Sequence, residues 1–589
     1  MTAEKITQPH VLRDYALLAD GERGALVGPH GDFDWLCAPR WHSDAVFAAL
    51  VGGGGVYSVT PTGRYVWGGY YEPGTLIWNS HWVVGSSVVE CREALAFPGD
   101  PHRVVVLRRV IAVHGDAEVD VVLRPGCRFG RAPARDLHRT DQGVWYARVG
   151  DLALRWSGGS SASVRDATGW AERIRLRQGE IHDLILELSD AALPADAPDP
   201  HTAWAGTEAA WQREVPELGP SVATRDTAQA YAVMRGMTSG TNGMVAAATT
   251  CLPERADRGE NYDYRYVWIR DQCYAGLAVA SDGPHPLLDN AIRFVAERLL
   301  ADGPRLRPAY TVTGHTIPEP SELDLPGYPG ARTVVGNRVS HQFQLDTFGE
   351  ALLLFAAAAQ HDRLTEDDRR AVSIAVAAIA DNWHRPDAGI WEIENRLWTH
   401  SRLACVGGLR AVAGVAASGA DPVFCAALAD TIIAETARTS VHPSGAWQQA
   451  PDAAGVDVAL LLPAVRGGMS VDDPRSLATY RAIERELCTD FYVYRYRHDE
   501  QPLETTEGAF LLCGFIMAIA AAQLGYPVSA AHYFERNRAA CGTPGLFAEE
   551  FDVTQRQLRG NMPQAFVHAL LFESSVRLPR FGDDHEKEP

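Results

Sequence analysis

The sequence has no apolar run long enough to cross a membrane. Its hydrophobic stretches fall short of the roughly 18 uninterrupted residues that a transmembrane helix requires. The first residues, MTAEKITQPH, also lack the apolar segment behind a basic start that marks a secretory signal. We therefore expect a cytoplasmic protein.

Positive charge is scarce relative to negative charge. Lysine and arginine number 54 against 74 aspartates and glutamates, which gives a formal net charge of −20. Nucleic acid requires clustered basic residues, and an anionic membrane surface repels an acidic protein. Neither is an expected partner.

The sequence also lacks the spacings typical of metal and redox sites. Its ten cysteines form no CxxC pair, and its 20 histidines form no HExxH motif. Several cysteines lie within apolar runs, where packing of a reduced thiol is the simplest interpretation. We expect no metal and no cofactor.

Residues 1–200 carry the pattern of an antiparallel β-sandwich. Short alternating runs such as TLIWNSHWVV, HRVVVLRRVIAV and HDLILELS recur there, separated by Gly, Asp and Pro at hairpin spacing. Many short strands at regular intervals are typical of a sandwich.

The remainder of the chain carries a helical pattern. Some predicted helices are apolar nearly all round, such as FLLCGFIMAIAAAQL, and others are amphipathic, such as RRAVSIAVAAIADNWH. The two kinds roughly alternate, as an inner ring of helices inside an outer ring would require, so we predict an (α/α)₆ toroid. We assign 201–250 to linker helices and the first toroid helix, 251–578 to the toroid and 579–589 to a disordered tail.

One loop segment, GENYDYRYVWIRDQCY, opens the toroid at residues 259–274. Aromatic side chains occupy every second position, which indicates extended backbone: Tyr262, Tyr264, Tyr266 and Trp268. Arg270 and Asp271 follow, and a helix begins near them. We expect this segment to cross the mouth of the toroid.

Three further inter-helix loops combine carboxylates with aromatic or arginine side chains. They contain Trp391 and Glu392, then Arg495 and Glu507, then Glu549 and Glu550. Each residue also has an ordinary structural alternative. Trp391 could be a core residue beside a solvated Glu392, and Asp271 could form an ion pair and cap a helix. Arg495 could pair with Asp490 or Asp499, and Glu549–Glu550 could be a solvated charge run.

These residue types suit cleavage of a sugar. Aromatic faces stack on pyranose C–H groups, while Arg and Asp bind hydroxyls. Two carboxyl groups supply the chemistry, one protonating the leaving oxygen and the other activating water or attacking carbon. An apolar neighbour such as Trp391 favours the protonated acid by desolvation.

The motifs NYDYRYVWIRD, GIWE, VYRYR, EGAFLLC and FAEEFD…LRGNMPQAF follow one another in an order that resembles glycoside hydrolase family 15. This is the glucoamylase family, which also contains trehalases, glucodextranases and isomaltose hydrolases. The opening DYALLADGERGALVGPHGDFDWLCAPRW resembles the β-sandwich of the same family. The resemblance covers nearly the whole chain.

The resemblance implies roles for particular residues. Glu392 would be the general acid and Glu549 the general base of an inverting, exo-acting hydrolase that releases β-glucose from a non-reducing end. Substrate contacts would come from Tyr264, Trp268, Arg270, Asp271, Trp391 and Arg495, with Glu507 and Glu550 as further candidates. The resemblance assigns no role to Tyr262 and Tyr266, which we expect to be packing residues.

Three positions depart from patterns common in the family. Ile393 stands where those proteins have a second glutamate, Glu394 stands where bacterial members commonly have arginine, and Phe510 lies near an expected tryptophan. We therefore expect a short α-glucoside as substrate: a maltooligosaccharide, isomaltose or trehalose, with a dedicated trehalase as one alternative. The preferred linkage and the oligomeric state stay open.

Two other functions remain as alternatives. A disaccharide phosphorylase shares the expected architecture but uses phosphate in place of a catalytic base, which Glu549 disfavours. A non-catalytic carbohydrate sensor would be expected to have lost one of the two glutamates.

Overall fold

The computed structural model describes residues 9–165, 168–254, 261–498, 501–503 and 507–585, with the side chains of the last helix described to residue 581. The described chain is β-rich up to Ser189 and helical from Pro200 onward. This confirms the predicted fold class.

The β-rich part consists of antiparallel strands in two layers. One layer is an eight-stranded sheet of order β13-β14-β15-β18-β9-β8-β7-β6. The facing layer contains two four-stranded sheets, β1-β2-β3-β4 and β16-β17-β10-β5, and β11 pairs with β12. The strands are β1 Ala16–Ala19, β2 Gly24–Val27, β3 Phe33–Cys37, β4 Ala45–Phe47, β5 Val56–Pro61, β6 Val66–Tyr71, β7 Trp78–Val84, β8 Ser87–Leu95, β9 Arg103–His114, β10 Ala117–Arg124, β11 Gly126–Cys127, β12 Ala132–Pro133, β13 Arg135–Arg139, β14 Trp145–Val149, β15 Leu152–Ser157, β16 Ser163–Arg165, β17 Gly169–Leu176 and β18 Ile181–Ser189.

Aromatic side chains join the two layers. Trp156 of β15 donates its indole N–H to the Tyr57 hydroxyl of β5 at 3.3 Å, and its ring lies 5.8 Å from that of Trp170 in β17. The Tyr71 hydroxyl of β6 bonds to both backbone groups of Leu17 in β1. Strand β10 buries every second residue, as a strand with one face on a core should.

Thirteen helices lie within the described residues. They are α1 Pro200–Glu214, α2 Thr224–Gly236, α3 Ile269–Ala280, α4 Pro286–Asp302, α5 Asp346–Gln360, α6 Glu366–Asn382, α7 Thr399–Ala413, α8 Pro422–Thr439, α9 Leu462–Val465, α10 Pro474–Leu487, α11 Leu511–Gln523, α12 Pro527–Arg538 and α13 Ala565–His585.

Helices α2 to α13 form the two rings of the toroid. The odd-numbered helices pack against one another in sequence, and α13 closes the ring on α3. Every residue of α9 except Ala464 is buried, every residue of α11 except its last, Gln523, is buried, and α5 is buried along almost its whole length. The even-numbered helices cover this ring from outside and bury one face each, which explains the alternation in the sequence.

Nine short strands line the loops of the helical part. They are β19 Val267–Trp268, β20 Ala309–Tyr310, β21 Ser321–Glu322, β22 Val334–Val335, β23 Cys488–Thr489, β24 Tyr492–Val493, β25 Ala509–Phe510, β26 Glu550–Asp552 and β27 Gln557–Arg559. Strands β25, β26 and β27 form one sheet, which fixes the segment around residue 550 beside the start of α11.

The aromatic segment is extended at Asp263, which forms an isolated antiparallel bridge with Thr250, and at Val267 and Trp268, whereas Tyr266 lies in a bend and residues 259–260 lie outside the described residues. Val267 and Trp268 form β19, which pairs with β20, and α3 begins immediately afterwards. Tyr266 is 2% exposed and packs in a small cluster with Trp268 and Ile317. Tyr262 is 44% exposed, so it is not a core residue, but its ring stacks on the Tyr264 ring at 6.2 Å.

The β-rich part holds this segment in position. Arg265 pairs with Asp263 at 2.8 Å and donates to the Ser43 carbonyl at 2.9 Å, and both members of the pair are buried. Nearby, the Trp35 indole of β3 donates to the Ala248 carbonyl at 2.9 Å. A charged residue that faces away from the aromatic side of the segment is therefore its anchor.

Helix α13 continues to His585, so it extends beyond residue 578, after which we predicted a disordered tail. The physical reason is that Phe581 packs against the core and lies under the Arg577 guanidinium. Residues 586–589 lie outside the described residues.

Candidate active site

A cavity open to solvent lies where the inner helices α3, α11 and α13 begin. Eight of the ten predicted site residues line it, whereas Glu507 and Glu550 do not. The lining consists of Ala246, Tyr264, Trp268, Arg270, Asp271, Ile390, Trp391, Glu392, Arg495, Phe510, Leu512, Glu549, Gln564 and Phe566. Loops distant in sequence therefore meet at one concave surface, which is where ligands bind most often.

Glu392 stands at the tip of the loop between α6 and α7. The Trp268 indole N–H donates to its Oε1 at 2.6 Å, and the Arg270 guanidinium approaches the same oxygen at 3.3 Å. No residue that the structure describes donates a hydrogen bond to its Oε2. One oxygen is therefore anchored and the other faces the cavity, with 24% of the side chain exposed.

Arg270 connects this carboxylate to the opposite wall. Its guanidinium donates to the Ile390 carbonyl at 2.7 Å and to Asp271 Oδ1 at 3.1 Å. The predicted ion pair is present, but the N-cap of α3 is Trp268, so Asp271 lies in the first turn and not at the cap. Burial raises the pKa of Asp271 to about 6, despite the lowering effect of Arg270.

Glu549 lies one residue before β26 and is 8% exposed. Its Oε2 is buried and has no hydrogen-bond partner among the described residues. Burial raises the pKa of this carboxyl to about 7, against the lowering effect of Arg495. Because the neighbouring Glu550 is fully buried as well, the alternative of a solvated charge run is wrong.

Arg495 forms a further wall of the cavity. Its guanidinium lies 3.9 Å over the Phe510 ring and 5.7 Å from the Trp391 ring. Glu507 accepts two hydrogen bonds from it, the shorter at 2.5 Å, and His498 approaches the same carboxylate oxygen at 3.3 Å. Glu507 is therefore behind Arg495 rather than in the cavity.

The partner of Arg495 differs from both alternatives suggested by the sequence. Asp490 pairs with Arg536 instead, and Asp499 lies outside the described residues. Burial opposes ionisation of Glu507, but the field of Arg495 prevails and holds the pKa of that carboxyl below its usual value. The pair is an ionised one.

Glu550 points away from the cavity because successive side chains of a strand lie on opposite faces. It accepts a hydrogen bond from the Gly508 backbone N–H at 2.7 Å. Burial and the neighbouring carboxylates Glu254 and Glu507 raise the pKa of Glu550 well above its usual value. Glu254, which the sequence did not single out, accepts a 3.3 Å hydrogen bond from the Tyr264 hydroxyl at the cavity wall.

Six lining residues were absent from the predicted set. Four of them lie in the motifs GIWE, EGAF and MPQAF, so their place in these motifs could have predicted that they line the cavity: Ile390, Phe510, Gln564 and Phe566. Leu512 lies in the quoted motif EGAFLLC as well, whereas Ala246 lies in an apolar run that resembles any core segment, so the sequence offered no signal for Ala246.

A separate group of ionisable side chains lies in the β-rich part. His10, Asp32 and Asp34 each bring one atom within 4.8 Å of the others, although no sequence spacing predicted it. His10 bonds to Asp32 at 3.0 Å, and the Tyr15 hydroxyl donates to Asp34 at 2.6 Å. These contacts make the group an internal hydrogen-bonded network.

None of the helices that the structure describes is long and apolar enough to span a membrane.

Two family models match the chain. The model described as glycosyl hydrolases family 15 matches residues 227–531, and the model described as trehalase-like, N-terminal, matches residues 7–188. The first spans the toroid from α2 into α12, and the second spans the β-rich part.

Curated relatives match over most of the length. A trehalase of Mycobacterium tuberculosis is 30% identical over 97% of this chain and 90% of its own. A trehalase of Mycolicibacterium smegmatis is 29% identical over 97% and 92%, respectively. Among solved structures, a bacterial glucoamylase complexed with acarbose superposes with a TM-score of 0.70 at 13% identity, covering 97% of this chain and 94% of its own, which establishes a shared fold.

Proposed function

Because the chain belongs to glycoside hydrolase family 15, we propose that it is an inverting α-glucoside hydrolase and that trehalose is its preferred substrate. One observation carries the proposal. Glu392 and Glu549 face a single cavity from different loops, each with one carboxylate oxygen not engaged by another described residue.

Glu392 is the general acid in this proposal. Trp268 and Arg270 hold its Oε1, so its Oε2 is available to carry the proton to the glycosidic oxygen. A sugar seated in the cavity excludes water from this carboxyl, so that the proton passes directly to the glycosidic oxygen.

Glu549 is the general base. Its unengaged Oε2 is where the nucleophilic water would bind, and it takes a proton from that water as oxygen attacks the anomeric carbon. An inverting enzyme needs room for this water, so we expect the two carboxyl groups to lie roughly 6.5–9.5 Å apart.

The remaining wall holds the terminal glucose. Arg270 and Asp271 offer a fixed donor and a fixed acceptor for its hydroxyls, and Tyr264 and Trp268 offer aromatic surfaces for its C–H groups. The Tyr264 and Trp268 rings meet edge to face at 5.5 Å, which makes a corner rather than a flat platform.

Trehalose is favoured over longer glucosides by the relatives that match along nearly the full chain, both of which are trehalases. A base-like Glu549 in the cavity favours hydrolysis over phosphorolysis.

Glucose release from trehalose, maltose, isomaltose, kojibiose, nigerose and maltotriose tests the substrate. We expect the highest kcat/KM on trehalose, with no dependence on added phosphate. A higher value on maltose or isomaltose would overturn the trehalose assignment but leave α-glucoside hydrolysis intact. Release of glucose 1-phosphate only in the presence of phosphate would instead identify a phosphorylase.

Substitution of the two glutamates tests their roles. We expect Glu392→Gln and Glu549→Gln each to lower kcat on trehalose by about two to four orders of magnitude, the range for loss of a general acid or base. The melting temperature should stay near that of the wild type, because glutamine preserves the shape. Near-normal turnover in either variant would remove that residue from the mechanism.

A further inference from the structure

The loop that carries Glu392 is closed at its base. We call residues 387–396 the acid loop. Asp387 and Arg396 exchange two backbone hydrogen bonds, each 2.9 Å long, and these form an isolated antiparallel bridge. Trp391 and Glu392 stand at the far end of the loop, beside the cavity.

The conformation of the acid loop requires support. Gly389 has φ +68° and Glu392 has φ +56°. Both values lie in the left-handed region of backbone conformation, which residues other than glycine adopt only at an energetic cost. Inside the loop, the Glu392 N–H donates to the Gly389 carbonyl at 3.2 Å. A glutamate in this conformation keeps its position only where the surrounding structure fixes it.

The Asp387 side chain supplies a fixed point. A single oxygen, Oδ2, accepts from the Gly389 backbone N–H at 3.1 Å, the Leu345 backbone N–H at 3.1 Å and the Ser401 hydroxyl at 2.8 Å. Leu345 is the N-cap residue of α5, and Ser401 lies in the first turn of α7. Asp387 therefore binds the acid loop to the starts of two inner helices, and it is 1% exposed.

We propose that Asp387 is a positioning residue for the general acid: its carboxylate anchors the acid loop to α5 and α7 and so aims Glu392 at the glycosidic oxygen. Asp387 does not line the cavity and touches no substrate in this role. The inference rests on the proposed function, since it assigns Glu392 as the acid.

Two substrates separate positioning of the acid from general damage. Trehalose needs a proton on its leaving oxygen, so its cleavage depends on Glu392. In α-D-glucosyl fluoride, water adds to the anomeric carbon, its proton passes to Glu549, and fluoride leaves as an anion without protonation. A variant that only misplaces the acid should lose far more activity on trehalose than on the fluoride.

We expect Asp387→Ala to lower kcat/KM on trehalose at least thirtyfold and on the fluoride by less than threefold, mainly through kcat. Asp387→Asn keeps an acceptor oxygen of the same shape and should recover part of the trehalose activity. Should Asp387→Ala fail to fold, Ser401→Ala, which removes one of the three donors, and Asp387→Asn carry the test with smaller differences of the same sign.

The matched control is Asp368→Ala. Asp368 is also buried and also binds a helix start, but it caps α6 in the outer ring, away from the cavity. We expect it to lower the melting temperature and to reduce activity on the two substrates equally, if at all. Equal losses on both substrates in the Asp387 variants, or no loss on either, would overturn the inference.

The activity of the wild-type protein on the disaccharide panel and on the fluoride shows whether a negative result contradicts the positioning role of Asp387 or the proposed function as a whole. If it cleaves another disaccharide of the panel but not trehalose, the comparison is made on that disaccharide and the inference is still tested. If it cleaves neither the fluoride nor any disaccharide, the proposed function and this inference fail together.

Discussion

Two glutamates of the same chain have different surroundings, while their proposed roles come from the family resemblance. Glu392 is partly exposed and has one oxygen held by an indole and a guanidinium. Glu549 is buried, with an unengaged oxygen and a pKa raised to about 7 by that burial. The first can hand over a proton at a fixed point, and the second can bind a water and accept one.

The raised pKa of Glu549 predicts the acid limb of the pH–rate profile. A general base must be ionised, so kcat/KM on trehalose should rise as the pH increases through about 7 and fall as it drops below that value. The measurement is initial rates at low substrate concentration from pH 5 to pH 8, with the melting temperature followed as the control for stability. A kcat/KM that stays constant between pH 5 and pH 7 would contradict a raised pKa of the base Glu549.

Glu507 is the clearest case in which a predicted substrate contact has a different position. Because it holds Arg495 from behind, Glu507→Gln leaves a mostly buried guanidinium without its ionised partner. We expect the free energy of unfolding to fall by about 3 kcal/mol and KM to rise more than kcat falls. Chemical denaturation and steady-state kinetics measure the two effects.

The control for this variant is Glu435→Gln, which breaks the exposed Glu435–Arg438 pair on the outer helix α8. It should leave both the melting temperature and KM unchanged, since exposed pairs contribute little. If Glu507→Gln behaved like this control, the assignment of Glu507 as the support of Arg495 would be wrong.

At the scale of elements, the close approach of two inner helices depends on glycine. A Cβ on Gly349 of α5 would lie 2.5 Å from the Ala404 carbonyl group of α7, and one on Gly408 of α7 would lie 2.4 Å from the Gly349 carbonyl oxygen. Asp387 and Ser401 meet at the start of the same pair of helices. The close packing of α5 and α7 therefore sets the distance between the two helix starts that Asp387 joins.

Gly349→Ala should force α5 and α7 apart. We expect a loss of about 1–3 kcal/mol in the free energy of unfolding, as for other overpacked cores, together with lower kcat on trehalose. Gly206→Ala is the matched control, because Gly206 lies in α1 with open space around it, and there alanine should be neutral or stabilising. Equal stability of the two variants would contradict a close-packed crossing.

The elements themselves were largely predictable from the sequence because period and length distinguish strand from helix. The direction in which a functional side chain points was less predictable from the sequence. Glu549 and Glu550 are adjacent and equally charged, and only the position of β26 decides which faces the cavity. The exposure of Tyr262 and the helical end beyond residue 578 likewise depend on packing between distant segments.

For the whole molecule, the alternation of buried and amphipathic helices was enough to predict two rings, and the residue types in the loops predicted where the rings open. Anchoring was not predictable in the same way. Asp387 lies five residues before Glu392, but its partners Leu345 and Ser401 come from two other elements, so no local pattern indicates its position. Contacts of this kind arise only once the helices are packed.

The stereochemistry of trehalose cleavage tests the central claim most directly. Inversion converts the attacked glucose to the β anomer, while the leaving glucose keeps its α configuration because its own anomeric bond is not broken. Proton NMR during the first turnovers, before mutarotation, should therefore detect α- and β-glucose in equal amounts. Release of α-glucose alone would establish retention and would contradict Glu392 and Glu549 acting as the acid and base of an inverting hydrolase.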